Sequence, residues 1–549
     1  MVVCSLLLLV AFAFRLAVAR YLPNDDPDDG RIYAQMARNL LEQHVYSHAT
    51  EAPYAPSLIR LPGYPLFIAA VYAVFGHTNN TAVRIIQAVL DTATCVLIAL
   101  IAFQWEPESR RKRAAAIAAL AFVAVCPFST IYTATILTET PTIFLSAAMC
   151  LTATLAFKAG TWKRSVRLWA ATGIIAGMAV LFRPDSGLFA AAIGLTLVGD
   201  ALLRPQVEPV TDKSAGVRPR MVKALKLGAI FSAAFCLVLT PWTIRNRRLF
   251  HVFQPLAPAH AEMPGEFVPR GYLAWLRSWI EDQRYIGPVL WKLEEAPIDI
   301  DDFPDTAFDS NQERQEVAAL LEKYNNPPDQ ESPPETLPSP TPMPSPEEKA
   351  NSKSKDSHQA NPADEESEQS DEEEEGADAE QDQAEEPQGV EMTPEIDAAF
   401  TRIARERISR SPLRYYLQLP FRRAISLWFD THSQYYPFEG ELTPFEDLDY
   451  EIHQQFWLPL FAGLTWIYTL LGAAGAWLLW RSRDFVTMRW VVLVGLMIFL
   501  RLGFFATLEN PEPRYVVEVF PFLSVLAGIA VVQLADFIRK RYRTRPRVQ

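Results

Sequence analysis

Asp25, Asp26, Asp28 and Asp29 follow directly on an apolar stretch long enough to cross a bilayer and directly precede an amphipathic helix pattern. Ile32, Tyr33, Met36, Ala37, Leu40 and Leu41 recur at three- and four-residue spacing and form one apolar stripe, with Arg31, Gln35, Arg38 and Glu42 on other faces. The aspartates therefore sit at a helix N-terminus, where free backbone N–H groups and the helix dipole stabilise negative charge. One of the four serves there as an N-cap. Another, held ionised beside the membrane, has the chemistry of a general base or of an oxygen ligand for a cation.

More charges stand near the ends of apolar stretches. Glu139 lies in Leu137-Thr138-Glu139-Thr140-Pro141, Arg183-Pro184-Asp185 joins two stretches, and Arg245 follows Pro241-Trp242. Glu509, Glu512 and Arg514 share one short loop. A charge next to a membrane-embedded segment is costly unless it meets a cavity, a partner or a substrate. Singly, each reads as a solvated or snorkelling side chain. As a set on one leaflet they read as a site in which carboxylates act as base or metal ligand and arginines fork onto phosphate oxygens. Asp91 is the exception inside a predicted span, and Arg84 is its expected partner.

The elements that must position these residues are membrane spans. Apolar runs near the roughly 20-residue bilayer length recur before residue 243 and after residue 456. They place spans near 1–19, 81–103, 114–132, 138–158, 167–182, 186–203, 224–242, 456–480, 489–507 and 515–535. The first also ends Ala17-Val18-Ala19, which leaves a signal peptide as its alternative reading. The basic clusters at 110–113, 163–167, 218–226, 481–483 and 539–547 fall on one side if the short apolar stretch 64–76 does not cross. That puts a first outer loop, 20–80, and the polar middle, 243–455, on the opposite face.

The net charge of −13 is local in origin, because residues 326–390 hold 20 acidic residues against 3 lysines. This run is too poor in large apolar residues to fold alone and reads as a disordered acidic linker, 325–392. Thr393-Pro394 restarts helical structure. The aromatic-rich flanks hold Tyr272, Trp275, Trp279 and Trp291 before the linker and Tyr415, Tyr416, Trp428, Tyr435 and Tyr436 after it. They read as helices lying at the headgroup level, with a packed outer-face core as the alternative. The five cysteines fall in apolar stretches, so neither disulfides nor a cysteine metal site is expected. No nucleotide loop, dinucleotide fingerprint, serine elbow or nucleic-acid signature is present.

Taken in order, Asp29-x-x-x-Tyr33-Ala34-x-x-Ala37-Arg38-x-Leu40, Arg60-Leu61-Pro62-Gly63-Tyr64-Pro65, Leu137-Thr138-Glu139-x-Pro141, Phe182-Arg183-Pro184, Pro241-Trp242-x-Ile244-Arg245-Asn246 and Arg514-Tyr515 with Pro521 form one pattern. It resembles the type C superfamily of membrane glycosyltransferases, in particular the bacterial branch of protein mannosyltransferases and lipid A aminoarabinose transferases. The resemblance implies a polyprenyl-phosphate sugar donor and an acceptor on the outer face. It also implies a catalytic or metal-binding aspartate at Asp29, with Asp28 adjacent, and a second acidic residue at Glu139. Arg60, Arg245 and Arg514, then Arg183, are the implied phosphate-binding residues, with Tyr33 beside the donor. The acidic linker departs from that pattern.

The expectation is thus an all-α polytopic membrane protein of about ten spans. Its parts are an N-terminal transmembrane region (1–255) and an outer-face polar segment (256–324), then the acidic linker, outer-face amphipathic helices (393–455) and C-terminal spans with a basic tail (456–549). The expected activity is sugar transfer from a polyprenyl-phosphate donor to a glycolipid, glycan or protein hydroxyl, at the outer face of a bacterial inner membrane, with inversion. Mg²⁺ or Mn²⁺ on Asp29 is the alternative to a base. A lipid-linked saccharide transporter or a glycan polymerase is the rival function.

Overall fold

All regular structure among the described residues is helical, as the apolar periodicity requires. The computed structural model describes residues 2–22, 28–204, 217–327, 390–431, 435–436 and 452–543. Asp25 and Asp26 lie outside them, as do residues 328–389 of the predicted acidic linker.

The chain opens with α1 (Val2–Tyr21), the amphipathic α2 (Asp28–Glu42), the short apolar α3 (Gly63–Phe75) and α4 (Asn80–Trp105). Next come α5 (Lys112–Ala124), α6 (Pro127–Thr130), α7 (Glu139–Phe157), α8 (Trp162–Phe182), α9 (Gly187–Leu203) and α10 (Val217–Leu249). Nine helices among the described residues are long and apolar enough to cross a membrane. The span expected at 114–132 is instead broken, because α5 and the following helical piece meet at a 54° bend. Counting that bent pair gives ten. At 13 residues α3 is too short to cross, as its length implied.

Local chemistry sets the helix starts. The Asn79 side chain accepts from Ala82 N–H at 3.0 Å to begin α4, and the Asp484 carboxylate caps α16 (Phe485–Phe505) through the N–H groups of Val486 and Thr487. Small residues set the closest packing. A Cβ on Gly177 of α8 would lie 2.8 Å from the Val238 side chain of α10, so only glycine lets these two spans approach this closely.

The polar middle corrects the reading of its first aromatic stretch. Tyr272, Trp275 and Trp279, expected at the headgroup level, are buried in a core of their own with Phe303, Phe400 and Tyr324. Helices α11 (Arg270–Arg277), α12 (Asn311–Asn325) and α13 (Pro394–Arg410) build that core. Large rings satisfy a headgroup belt and a dry core equally well, so composition alone did not separate the two. Trp291 does stay exposed. Thr393 caps α13 by accepting from Ile396 N–H, with Pro394 in its first turn.

Order extends past the predicted linker limits. Met392 is buried in the same core, and Glu391 N–H donates to Tyr324 O at 3.2 Å. The flanks of 328–389 thus meet. Replacing those residues by a short glycine-serine linker is expected to leave the thermal unfolding temperature unchanged; a clear fall would show that they pack on the fold.

Beyond the core, α14 (Leu419–Phe429) turns Leu427 and Trp428 onto the membrane helices and leaves Phe421 exposed. The chain closes with α15 (Ile452–Arg481), α16 and α17 (Phe520–Arg543).

Candidate functional site

Asp29 is the second residue of α2, where the helix dipole favours a carboxylate. Its Oδ1 accepts from Arg60 Nη2 at 2.7 Å, and its Oδ2 lies 3.7 Å from Arg514 Nη2. Burial alone pushes the Asp29 carboxyl up, but Arg60 and then Arg514 outweigh it and hold the group below the usual carboxylate range. One turn on, burial and then the charge of Asp29 push the Tyr33 phenol up to about 12, so it stays protonated. Arg60 is fixed from its backbone, because Tyr46 OH donates to Arg60 O at 3.1 Å. The Pro62-Gly63-Tyr64-Pro65 run then enters α3 against the end of α8. A Cβ on Gly63 would lie 2.6 Å from Leu181 O, so glycine is required where α3 abuts the turn that carries Arg183.

Glu139 opens α7, and its Oε1 accepts from Arg183 Nη1 at 2.7 Å. Arg183 also meets Asp185 at 3.1 Å and Glu518 at 3.2 Å. Arg501, fully buried in α16, completes the set by reaching Asp185 at 2.6 Å and Glu518 at 3.0 Å. Two guanidiniums thus bind three carboxylates out of water, and each charge depends on the others for compensation. The remaining Glu139 oxygen, Oε2, is buried and accepts no hydrogen bond among the described residues. Arg514 is oriented by Glu512 at 2.5 Å, and Tyr515 stacks on Phe505 at 4.6 Å between centroids.

These walls enclose a cavity of about 1070 Å³. Asp29, Tyr33, Arg60, Glu139, Arg183 and Arg514 line its charged side. Leu256, Phe267, Leu273 and Trp291, from the polar middle, line a side that is largely apolar. The two sides are tied by Arg277, which grips Glu509 at 3.0 and 2.6 Å.

Eight of the residues expected at a site therefore share one cavity, Asp185 and Glu509 among them. Arg245 does not line it: its guanidinium lies 4.7 Å from the Trp242 ring, with the Tyr46 and Phe250 rings also close, and it bonds to Asn246. Asp28 begins α2, but its side chain lies outside the described residues. Asp91 pairs with Arg15 at 2.7 Å and not with Arg84 as expected. Arg501 and Glu518 were missed, although each is a lone charge inside an apolar run.

Asp29, the expected oxygen ligand of a divalent cation, is engaged by arginines in this structure. Both its oxygens face guanidiniums, and among the described residues, which leave out the side chains of Asp25, Asp26 and Asp28, no group of three or more carboxylate, imidazole or thiol side chains is placed to hold a metal ion.

Residues 56–209 match the profile of the dolichyl-phosphate-mannose-protein mannosyltransferase family. Over those residues the resemblance to the protein mannosyltransferases is borne out. No curated protein matches the sequence. Among solved structures, an Archaeoglobus fulgidus oligosaccharyltransferase in complex with Zn and sulfate aligns over 97% of this chain and 51% of its own at 12% identity, with a TM-score of 0.44. The same organism's oligosaccharyltransferase AglB, in complex with an inhibitory peptide and a dolichol-phosphate, aligns over 100% of this chain and 52% of its own at 10% identity and a TM-score of 0.47. ArnT from Cupriavidus metallidurans, bound to undecaprenyl phosphate, aligns over 100% of this chain and 81% of its own at 13% identity and a TM-score of 0.32. The chain thus spans about half the length of the oligosaccharyltransferases it matches.

Proposed function

We propose that this chain is an integral membrane glycosyltransferase. It moves a sugar from a polyprenyl-phosphate donor to a hydroxyl of a glycolipid, glycan or protein at the outer, periplasmic face of a bacterial inner membrane. The observation that carries the reading is Asp29 standing between Arg60 and Arg514 on the wall of a cavity large enough for a sugar phosphate. The family match over 56–209, whose description names a lipid-phosphate-linked mannose, supports this donor chemistry.

The acceptor oxygen attacks the anomeric carbon as the bond from that carbon to the phosphate oxygen breaks. The phosphate leaves with the bonding pair, the acceptor proton passes to Asp29, and the configuration at the sugar inverts. Arg60 and Arg514 hold the leaving phosphate and stabilise its growing charge. Arg183 is committed to Glu139, Asp185 and Glu518, so it supports the wall instead of binding phosphate. Asp91, the charge inside a predicted span, is closed off on Arg15.

An arriving phosphate competes with Asp29 for the same guanidiniums. Asp29 is then less stabilised as an anion and becomes a better base only when donor is bound. The sign follows: in the free enzyme the Asp29 carboxyl lies below its usual range, and in the donor complex it rises. The acidic limb of kcat, which reports the complex, is expected at higher pH than the limb of kcat/KM, which reports the free enzyme. Coincident limbs would contradict this.

Binding tests the donor assignment. Purified protein in lipid nanodiscs is expected to bind polyprenyl phosphate, and Arg60→Gln to weaken it about 10- to 100-fold, the loss of one hydrogen bond to a charged group at about 1.5–3 kcal/mol. Unchanged affinity in both Arg60→Gln and Arg514→Gln would remove the phosphate from this wall.

A further inference from the structure

The break between α5 and α7 holds only the single turn α6 and a 3-10 turn, Ile131–Thr133, before residues 134–138 run without helix, and every residue from Cys126 to Ile143 is buried. Backbone of this kind survives inside a bilayer only where protein groups satisfy it. Here those groups can be traced. Arg15 donates to Val123 O at 3.2 Å and Ala124 O at 2.9 Å, which closes the end of α5. Tyr436 OH donates to Pro127 O at 2.8 Å.

The last part of the stretch, which delivers Glu139, hangs on one side chain. Gln87 is fully buried seven residues into α4, about 10 Å below its start. Its Nε2 donates to Thr135 O at 2.7 Å, Tyr132 O at 3.2 Å and Thr133 O at 3.5 Å. Its Oε1 accepts from Tyr64 OH at 2.7 Å. Carbonyls only accept, so the amide orientation is fixed by its partners.

Tyr64 leads back to Asp29. It is the third residue of Pro62-Gly63-Tyr64-Pro65, its ring meets that of Tyr33 edge-on at 5.1 Å, and it lies 6.4 Å from that of Phe182. Tyr33 is one turn from Asp29, and Phe182 directly precedes Arg183, which grips Glu139. Gln87 and Tyr64 therefore link the loop that carries Asp29 to the segment that carries Glu139.

We propose that Gln87, through Tyr64 and the Tyr132–Thr135 carbonyls, is a positioning residue that sets Glu139 relative to Asp29 on the charged side of the cavity. This role rests on the glycosyltransferase reading. Gln87 touches no substrate; it fixes where the Glu139 carboxylate, with its buried and unpartnered Oε2, stands in the wall. Purely structural glue would be felt as lost stability alone. A positioning residue is felt in the chemical step, because a misplacement of about 1 Å in the groups around the reacting atoms costs on the order of 100-fold.

The test uses full-length protein in nanodiscs with two variants. Gln87→Met keeps the length and removes every hydrogen bond; Tyr64→Phe removes one hydroxyl and guards against misfolding of the first. Steady-state transfer from a polyprenyl-phosphate sugar is expected to show kcat lowered about 10- to 100-fold in Gln87→Met and less in Tyr64→Phe, with the donor KM unchanged. Independently of activity, a thiol introduced by Thr138→Cys, at a cavity-lining position, is labelled with a charged methanethiosulfonate. Adding Gln87→Met or Tyr64→Phe is expected to change that labelling rate severalfold over the background without Thr138→Cys. Unchanged labelling in both variants, or a donor KM that rises while kcat holds, overturns the proposal. If wild type transfers no sugar, the labelling still decides the linkage, and the glycosyltransferase reading alone fails.

Discussion

Asp29→Asn is expected to lower the rate of sugar transfer by a factor of about 10²–10⁴, the usual contribution of a positioned general base. The substitution keeps the shape of the side chain and removes its charge and basicity. Arg60 loses its ion pair, at 2.7 Å, but keeps a carbonyl oxygen to donate to, so the local fold should survive. Donor phosphate should bind at least as tightly, because a carboxylate no longer competes for Arg60 and Arg514. The expected signature is thus a collapsed kcat with donor affinity unchanged or raised. A modest fall in kcat with weakened donor binding would recast Asp29 as a structural partner of Arg60.

Arg501→Leu should produce the largest loss of stability. Arg501 is fully buried and compensates Asp185 at 2.6 Å and Glu518 at 3.0 Å, while Arg183 is shared among three carboxylates. Its removal leaves uncompensated buried charge, which costs about 3–5 kcal/mol. The attractive side of the network contributes less than that figure, because both ions are desolvated on folding. The double variant Arg501→Leu/Glu518→Leu removes one charge of each sign and should therefore be more stable than Arg501→Leu alone. Thermal unfolding of the set in detergent decides it. Additive losses would mean that the two residues do not act as a unit.

How far the sequence foretold these residues follows from what periodicity and composition can carry. Asp29 was readable because a carboxylate run meets an amphipathic helix start, and Glu139, Arg183 and Arg514 because charges at span ends must be accounted for. Counting spans put them on one leaflet, and the cavity gathers them. Which charge meets which was not readable. Asp91 sits on α4 with Arg84 two turns away, yet its partner Arg15 comes from α1, since helix packing decides neighbours that one strand of sequence does not record. Arg245 followed the same motif logic as Arg514, but three aromatic rings surround it, and aromatic faces hold a guanidinium as readily as a phosphate does. Gln87 carried no signal beyond being polar inside a span, because its partners are the carbonyls of a helix break that hydropathy reads as continuous.

The most direct test of the central claim is a single-turnover reaction of purified protein in proteoliposomes with a polyprenyl-phosphate sugar labelled in the sugar. Label is expected to leave the lipid phosphate and appear on the acceptor, with free polyprenyl phosphate released in equal amount, and Asp29→Asn is expected to hold the donor intact. Movement of the intact lipid-linked sugar across the bilayer, with the sugar–phosphate bond unbroken, would contradict it.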